Sequence, residues 1–414
     1  MMPTGRRARR WIVMAAAAGL VLRVAFGLAY WVGKPLTHDE REYLALATSV
    51  SEGRGFVYDS AHQTGTAQQF GRAPGYPLFL ALIGAAGDHG SAPARVKISQ
   101  ALVGAATVWL IGVIALHAMG ARAGIAAAAI AAGYPPLVWI SSYVFSESLY
   151  SAVALLMAFV LQRAGAGDDA SGDRARRPLL LTLAAGVLAG VAILIRPAML
   201  FFLPLAVIWL AATRRAMLAV AFAVAALAVV APWTARNAKV YGRFVLVASE
   251  GGVTFWTGNH PLARGEGDLA ANPQLKAADL DFRRAHPGLT AEELEPLYYR
   301  DALDSIAANP AAWLALLARK AFYTVVPAGP SYTLHSRRYW AASVISYLAV
   351  LPLAIIGFRT LWRSPRRPVA VLLLGLSAVL VGLIFFPQER FRIPVIDPVL
   401  IIAASGVFAR GDAA

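Results

Sequence analysis

The chain has 414 residues, of which 58% are hydrophobic and only 15% charged, with a mean hydropathy of +0.58. A soluble domain typically carries roughly 25% charged residues, so most of this chain is expected in lipid. Disorder, a collagen-like fibre and a cytosolic enzyme are excluded. The absence of cysteine excludes disulfides, thiolate-held zinc, thiol catalysis and iron–sulfur ligation, and the net charge of +15 does not indicate nucleic acid, because of where the bases sit.

Crossing a hydrocarbon core takes about 20 apolar residues. Such stretches occur near 11–33, 97–118, 122–140, 145–162, 179–195, 198–213, 216–234, 340–358, 369–386 and 393–409. The expected fold is an all-α polytopic membrane protein with about ten transmembrane helices, forming one domain over 1–414. The run 179–213 would reach about 52 Å as one helix, too long for a single crossing, so Arg196-Pro197 is expected to turn a hairpin. The amino-terminal Arg-Arg-Ala-Arg-Arg and its apolar sequel mimic a signal peptide, but the apolar run continues to Gly33, and an uncleaved first helix is expected.

The segments assigned to the cytoplasm are 1–10, Arg122, 163–178, Arg214-Arg215, 359–368 and the tail at Arg410. They hold 16 of the 38 Lys and Arg but only 4 of the 23 acids, which predicts cytoplasmic termini in an inner or plasma membrane. Two long loops, 34–97 and 234–339, then lie outside. Residues 74–86 are too short to span and 311–327 is interrupted by Arg319-Lys320, so both are expected as interfacial helices. Thr290-Ala-Glu-Glu293 has capping-box spacing and opens a helix that Asn309-Pro310 closes. Gly258-Asn-His-Pro261 reads as a turn.

Ionisable residues near lipid are costly unless they face a wet cavity. His38-Asp39-Glu40 follows the first span, Glu147 opens the fourth, Arg196 ends the fifth, Arg236-Asn237 leaves the seventh, and Glu389-Arg390-Phe-Arg392 precedes the tenth. All fall on the predicted outer side. A carboxylate can orient or deprotonate a hydroxyl, and arginines can stabilise a departing phosphate. Together they predict sugar transfer from a lipid-phosphate donor. Plainer accounts exist for each: solvated loop acids, a helix-terminal acid in Glu147, snorkelling at Arg390 and Arg392, belt anchoring at Tyr43 and Tyr76. Arg23, inside the first span, has two readings, an acid partner or an interface. No phosphate loop, nucleotide fingerprint or His-Glu-x-x-His is present, which argues against nucleotide donors and zinc proteolysis.

The order of these features resembles the C-type membrane glycosyltransferases, in particular the dolichyl-phosphate-mannose protein mannosyltransferases and the lipid A aminoarabinose transferase. The matching strings are Asp39-Glu40-x-x-Tyr43, Arg72-Ala-Pro-Gly-Tyr-Pro-Leu-Phe-Leu80, Tyr134-Pro-Pro136, Ser146-Glu147, Arg196-Pro197, Pro232-Trp-Thr-Ala-Arg-Asn237, Gly258-Asn259 and Arg390-Phe-Arg-Ile-Pro394. The resemblance implies an inverting transferase that uses a polyprenyl-phosphate-sugar donor at the extracytoplasmic face. It implies Asp39, with Glu40 beside it, as the catalytic acid. It also implies Arg72, Arg390 and Arg392 as contacts to the lipid phosphate. Glu147, with Tyr43 and His38, is assigned to the acceptor or sugar. No β-rich luminal insertion or large carboxy-terminal soluble domain is legible, which leaves the acceptor open among a glycolipid, an envelope glycan and an exported protein. No cofactor is identified, and a divalent metal stays open because the acids offer oxygen ligands without a complete set. The rival readings are a transporter or lipid flippase, a glycan ligase or polymerase with a diphosphate-linked donor, and a noncatalytic partner.

Overall fold

In the computed structural model, residues 5–57, 71–165, 173–267, 269–327, 329 and 336–409 are described. Residues 166–172 of the expected cytoplasmic segment 163–178, and the tail at Arg410, lie outside them. Among the described residues every regular element is a helix, apart from an isolated bridge between Pro35 and Ser91. α1 (Gly5–Ala25) runs through a π-helical turn into the first long loop, which carries α2 (His38–Ser51) and α3 (Gly75–Leu82). Then come α4 (Ala94–Met119), α5 (Ala121–Gly133), α6 (Pro135–Trp139), α7 (Glu147–Gly165), α8 (Asp173–Ile195), α9 (Phe202–Ala212) and α10 (Ala216–Tyr241). The second long loop holds α11 (Gly251–Asn259), α12 (Pro273–Ala285), α13 (Ala291–Ala308) and α14 (Pro310–Val325). The chain continues with α15 (Arg337–Arg363), α16 (Val369–Ile384), α17 (Glu389–Arg392) and α18 (Ile396–Ala404).

Among the described residues six helices are long and apolar enough to cross a membrane, and the bent α5–α6 pair makes up to seven. Pro197–Ala212, Val369–Ile384 and Ile396–Ala409 are apolar but only 10–17 residues long. Each of the ten expected spans is therefore helical, but length alone does not establish ten crossings. The outward faces are greasy: Val21, Met217 and Ile345 are each about two thirds exposed. Such a surface suits lipid and not water, and the chain is a multi-pass membrane protein.

Residues 122–140, expected as one straight span, bend by 62° between α5 and α6. Tyr134 precedes Pro135-Pro136, so its backbone is extended, at φ −69° and ψ 112°, and the prolines bring no N–H to the ladder. The carbonyls released there need donors, and in lipid no water supplies them. Arg23 supplies them. Its Nε donates to Leu137 O at 3.1 Å, Nη2 to Ala131 O at 3.3 Å and Nη1 to Ala132 O at 3.4 Å. The arginine that the sequence left undecided thus repairs a broken helix.

Elsewhere small residues set the helix spacing. A Cβ on Gly186 or Gly190 of α8 would lie 2.6 Å from the carbonyl oxygens of Phe222 and Ala226 of α10, respectively. This four-residue glycine spacing lets the two backbones touch, the usual source of cohesion when lipid removes the hydrophobic drive. α8 ends as expected before Arg196-Pro197, where a 3-10 turn leads to α9.

The described parts of both long loops fold. The first packs α2 and α3 around Leu44, Tyr76, Leu80 and Val144. The second has its own core of Trp256, Leu275, Leu294 and Tyr298, and α13 starts with the expected Thr290/Glu293 capping box and ends before Asn309-Pro310. Residues 258–261 combine the end of α11 with a turn. There Asn259 is buried, donating to Ile384 O and accepting from Trp313 and Lys320.

Candidate active site

Thr37 caps α2 and places Asp39 in its first turn, where the helix dipole favours a carboxylate. Asp39 is clamped between two arginines from distant parts of the chain. Its Oδ1 accepts from Arg72 Nη2 at 2.9 Å, and its Oδ2 from Arg390 Nη2 at 2.7 Å. Burial pushes the carboxyl up, but Arg390 and Arg72 outweigh it and hold Asp39 well below the usual carboxylate range. The Arg72 guanidinium also sits 5.3 Å from the Tyr43 ring, and Tyr43 packs edge-on against Tyr76.

Glu147, at the start of α7 and 2% exposed, forms the second node. Arg196 Nη1 lies 2.7 Å from its Oε1 and Arg390 Nε 3.8 Å from the same oxygen. Arg196 and Arg390 both stack on Phe391, each 5.1 Å from the ring centre. The aromatic spacer keeps two like charges close while their planar faces stay covered.

These groups line one cavity of about 560 Å³. Asp39, Tyr43, Arg72, Glu147, Arg196 and Arg390 are among its polar side chains. Leu200, Phe201, Val326, Val381 and Phe385 are among the apolar side chains that line it as well. Charge beside an apolar wall is what an amphiphile with a phosphate headgroup requires.

The structure does not bring every expected residue to this cavity. Glu40 is buried and structural: its Oε2 accepts from the Thr37 N–H at 2.8 Å and the Thr37 hydroxyl at 2.9 Å, and its Oε1 from the Val144 N–H at 2.8 Å. The Glu40 carboxylate closes a capping box and is not among the cavity-lining groups. His38 is 63% exposed and 3.8 Å from Glu42, also off the cavity wall. Arg392 lines the cavity, but its guanidinium is 5% exposed, donates to Asp397 at 2.8 Å and lies 3.9 Å from the Tyr347 ring. These partners give Arg392 a packing role between α17, α15 and α18.

Two carboxylates belong here that the sequence did not single out. Glu42, one helical turn after Asp39, accepts from Arg72 Nε at 2.9 Å and also contacts Nη2. The Asp39-x-x-Glu42 spacing on one helix face was the legible signal. Glu250, just before α11, brings Oε1 to 2.9 Å from Arg72 Nε and lines the cavity. Burial, with Glu42 and Asp39 nearby, raises its carboxyl to about 7 against the pull of Arg72. No motif marks it. Glu389 is likewise raised to about 7, chiefly by burial, and its carboxylate contacts the Ser343 hydroxyl.

The ligand atoms of His38, Asp39 and Glu42 fall within 4.8 Å of one another, close enough to meet a metal. They are a poor fit for a resident ion as arranged. Both Asp39 oxygens and Glu42 Oε2 already accept from guanidiniums, and a cation would have to displace Arg72.

No family model matches the sequence, and no curated protein matches it. Solved structures do. The Archaeoglobus fulgidus oligosaccharyltransferase tethered to an acceptor peptide containing the NVT sequon aligns over 98% of this chain and 49% of its own, at 14% identity and a TM-score of 0.59. The same organism's oligosaccharyltransferase AglB, in complex with an inhibitory peptide and a dolichol-phosphate, aligns over 97% and 50%, at 14% identity and a TM-score of 0.55. ArnT from Cupriavidus metallidurans bound to undecaprenyl phosphate covers 96% and 78% at 16% identity, superposing more loosely, with a TM-score of 0.44. The chain spans about half the length of the oligosaccharyltransferases it matches. It has the fold of the C-type membrane glycosyltransferases.

Proposed function

We propose that the protein is an integral membrane glycosyltransferase that moves a sugar from a polyprenyl-phosphate donor to an acceptor hydroxyl. The acceptor is a glycolipid, an envelope glycan or an exported protein, and the reaction takes place at the extracytoplasmic face of the inner or plasma membrane, with both termini cytoplasmic. The observation that carries this reading is Asp39 held between Arg72 and Arg390 in a cavity with an apolar wall. The fold supports it, and so does the dolichol-phosphate in one of its neighbours.

In the proposed reaction the prenyl chain lies along Phe201, Val381 and Phe385, and the phosphate meets Arg390, with Arg72 and Arg196 close by. Fixed guanidiniums aimed at the leaving oxygen stabilise the charge that develops as the glycosidic bond breaks. Asp39 orients the acceptor hydroxyl for attack from the opposite face, and one displacement inverts the anomeric centre. Glu147 and Tyr43 line the sugar's side of the cavity. Every step uses this chain's own residues and none passes through a metal.

A second reading, a ligase that moves a preassembled glycan from a diphosphate carrier, is favoured by the oligosaccharyltransferase neighbours. The test is a donor panel: purified protein with monosaccharide-phosphate and oligosaccharide-diphosphate polyprenols, products read by mass spectrometry. The proposal expects transfer from monophosphate donors only, abolished by Asp39→Asn while membrane insertion is kept. Exclusive use of diphosphate donors would replace it with the second reading.

A further inference from the structure

We infer that Glu250 is the base that takes the proton from the acceptor hydroxyl as it attacks, with Asp39 confined to orienting that hydroxyl. The inference rests on the proposed sugar transfer and adds a residue to that same site.

A general base needs an oxygen available to a proton and a surface open to substrate. Four carboxylates crowd the arginines, and geometry separates them. Asp39 gives one oxygen to each of two guanidiniums. Glu42 is 6% exposed, accepts twice from Arg72 and does not line the cavity. Glu147 lines it but is 2% exposed and pressed against Arg196. Glu250 lines it, is 33% exposed, and among the described residues its ion-pair partner is Arg72 Nε, 2.9 Å from Oε1. Its place at the entry to α11, fixed against α13 where Gly251 and Gly252 pack on Glu295 and Tyr299, brings a carboxylate to the cavity wall from the second long loop.

The electrostatics agree. Burial, Glu42 and Asp39 raise Glu250 to about 7, while Arg72 and Arg196 oppose the shift. The other titratable groups facing it are Tyr43 of α2 and, behind α11, Glu292, Glu295 and Tyr299 of α13. A carboxylate with that value is half ionised near neutrality and binds a proton well. Asp39, held far lower by two arginines, binds one poorly. The step balances: the acceptor oxygen bonds to the anomeric carbon and the bond from that carbon to the phosphate oxygen breaks. The electron pair leaves with the lipid phosphate, and the hydroxyl proton passes to Glu250.

An anionic nucleophile needs no base, which gives the test. Full-length protein in lipid nanodiscs is incubated with undecaprenyl-phosphate mannose, glucose or arabinose, and with either methyl glycosides or sodium azide as acceptor. Glu250→Ala and the isosteric Glu250→Gln are expected to lose hydroxyl transfer by about 100-fold or more, yet to form glycosyl azide within about threefold of wild type. Wild-type kcat/KM, which reports the free enzyme, should rise with pH through about 7, and the variants should lose that limb. Glu250→Asp should recover part of it. If azide product falls in step with hydroxyl transfer, or the limb persists in Glu250→Gln, Glu250 only shapes the site and the inference is overturned. No product from wild type with any donor would instead overturn the proposed function, and this inference with it.

Discussion

Replacing Arg390 with glutamine keeps much of the side chain's length but removes its charge from the centre of the site. Arg390 touches Asp39 at 2.7 Å and Glu147 at 3.8 Å, and lies 4.8 Å from the Phe145 ring and 5.1 Å from that of Phe391. Two effects follow. The leaving phosphate loses one preorganised donor, which in comparable sites costs about 10²–10³ in kcat, or about 2.7–4 kcal/mol. Asp39 loses one of its two cations, so its carboxyl moves up toward the ordinary range, kept down by Arg72 alone. Because the donor's prenyl chain binds elsewhere in the cavity, KM for the donor should change less than kcat. Arg390→Lys should recover only a small part, since an ammonium cannot stack between two rings and contact two carboxylates at once. The assay is transfer from an undecaprenyl-phosphate sugar by protein in nanodiscs, with initial rates across donor concentrations. A lysine variant with more than about half of wild-type kcat, or a glutamine variant altered only in KM, would refute the role given to this guanidinium.

Other consequences test the assignments around it. Glu40→Ala should destabilise the fold by about 2–4 kcal/mol, because it removes a cap and strands the buried Val144 N–H; the surviving folded fraction should keep wild-type donor kinetics, checked by thermal unfolding in detergent alongside rates. A loss of kcat without loss of stability would return Glu40 to the chemistry. Chelation with EDTA should leave the transfer rate within about twofold, since Arg72 and Arg390 already satisfy Asp39; restoration of a lost rate by magnesium or manganese would show that a metal displaces Arg72 in the working enzyme.

The helices were legible because the apolar runs carry few charges, and Arg196-Pro197 marked its own turn. The break at Tyr134 was less visible, since apolarity continues through Pro135-Pro136 and only the backbone restriction reveals it. Asp39 stood out because it follows the first span directly. Glu40 beside it carried a signature that passed unread: Thr37-x-x-Glu40 has the same capping spacing as Thr290-x-x-Glu293, and a buried cap is what it became. Arg392 looked equivalent to Arg390, yet they are two positions apart on a short helix and face different ways, one toward Asp397 and one toward Asp39. Glu250 lay beyond reach because a loop has no periodicity to show which side chain turns inward. Its role depends on Arg72, 178 residues earlier in the chain.

That dependence has a thermodynamic consequence for donor binding. Three guanidiniums, of Arg72, Arg196 and Arg390, face the carboxylates of Asp39, Glu42, Glu147 and Glu250. A donor phosphodiester adds one more negative charge that does not titrate near neutrality. The readiest compensation is a proton on Glu250, already poised at about 7. Bound phosphate stabilises the protonated form, so the Glu250 pKa is higher in the complex than in the free protein. Binding is then strongest below about pH 7, where the proton is present before the donor arrives, and weakens as pH rises, by up to about tenfold per unit for one linked proton. The base must shed that proton to act, so kcat rises over the range where affinity falls; the two changes offset each other, and kcat/KM climbs through about 7 to a plateau. Tryptophan fluorescence titrations with a phosphodiester donor between about pH 6 and 8.5 should show the slope in wild type and a flat line in Glu250→Gln. Glu389, also near 7, is the competing proton site; a slope that survives in Glu250→Gln but vanishes in Glu389→Gln would transfer the linkage to it. A wild-type affinity independent of pH would mean that donor and carboxylates do not share one electrostatic field, and the clustering of their arginines would then have no bearing on how the lipid phosphate is held.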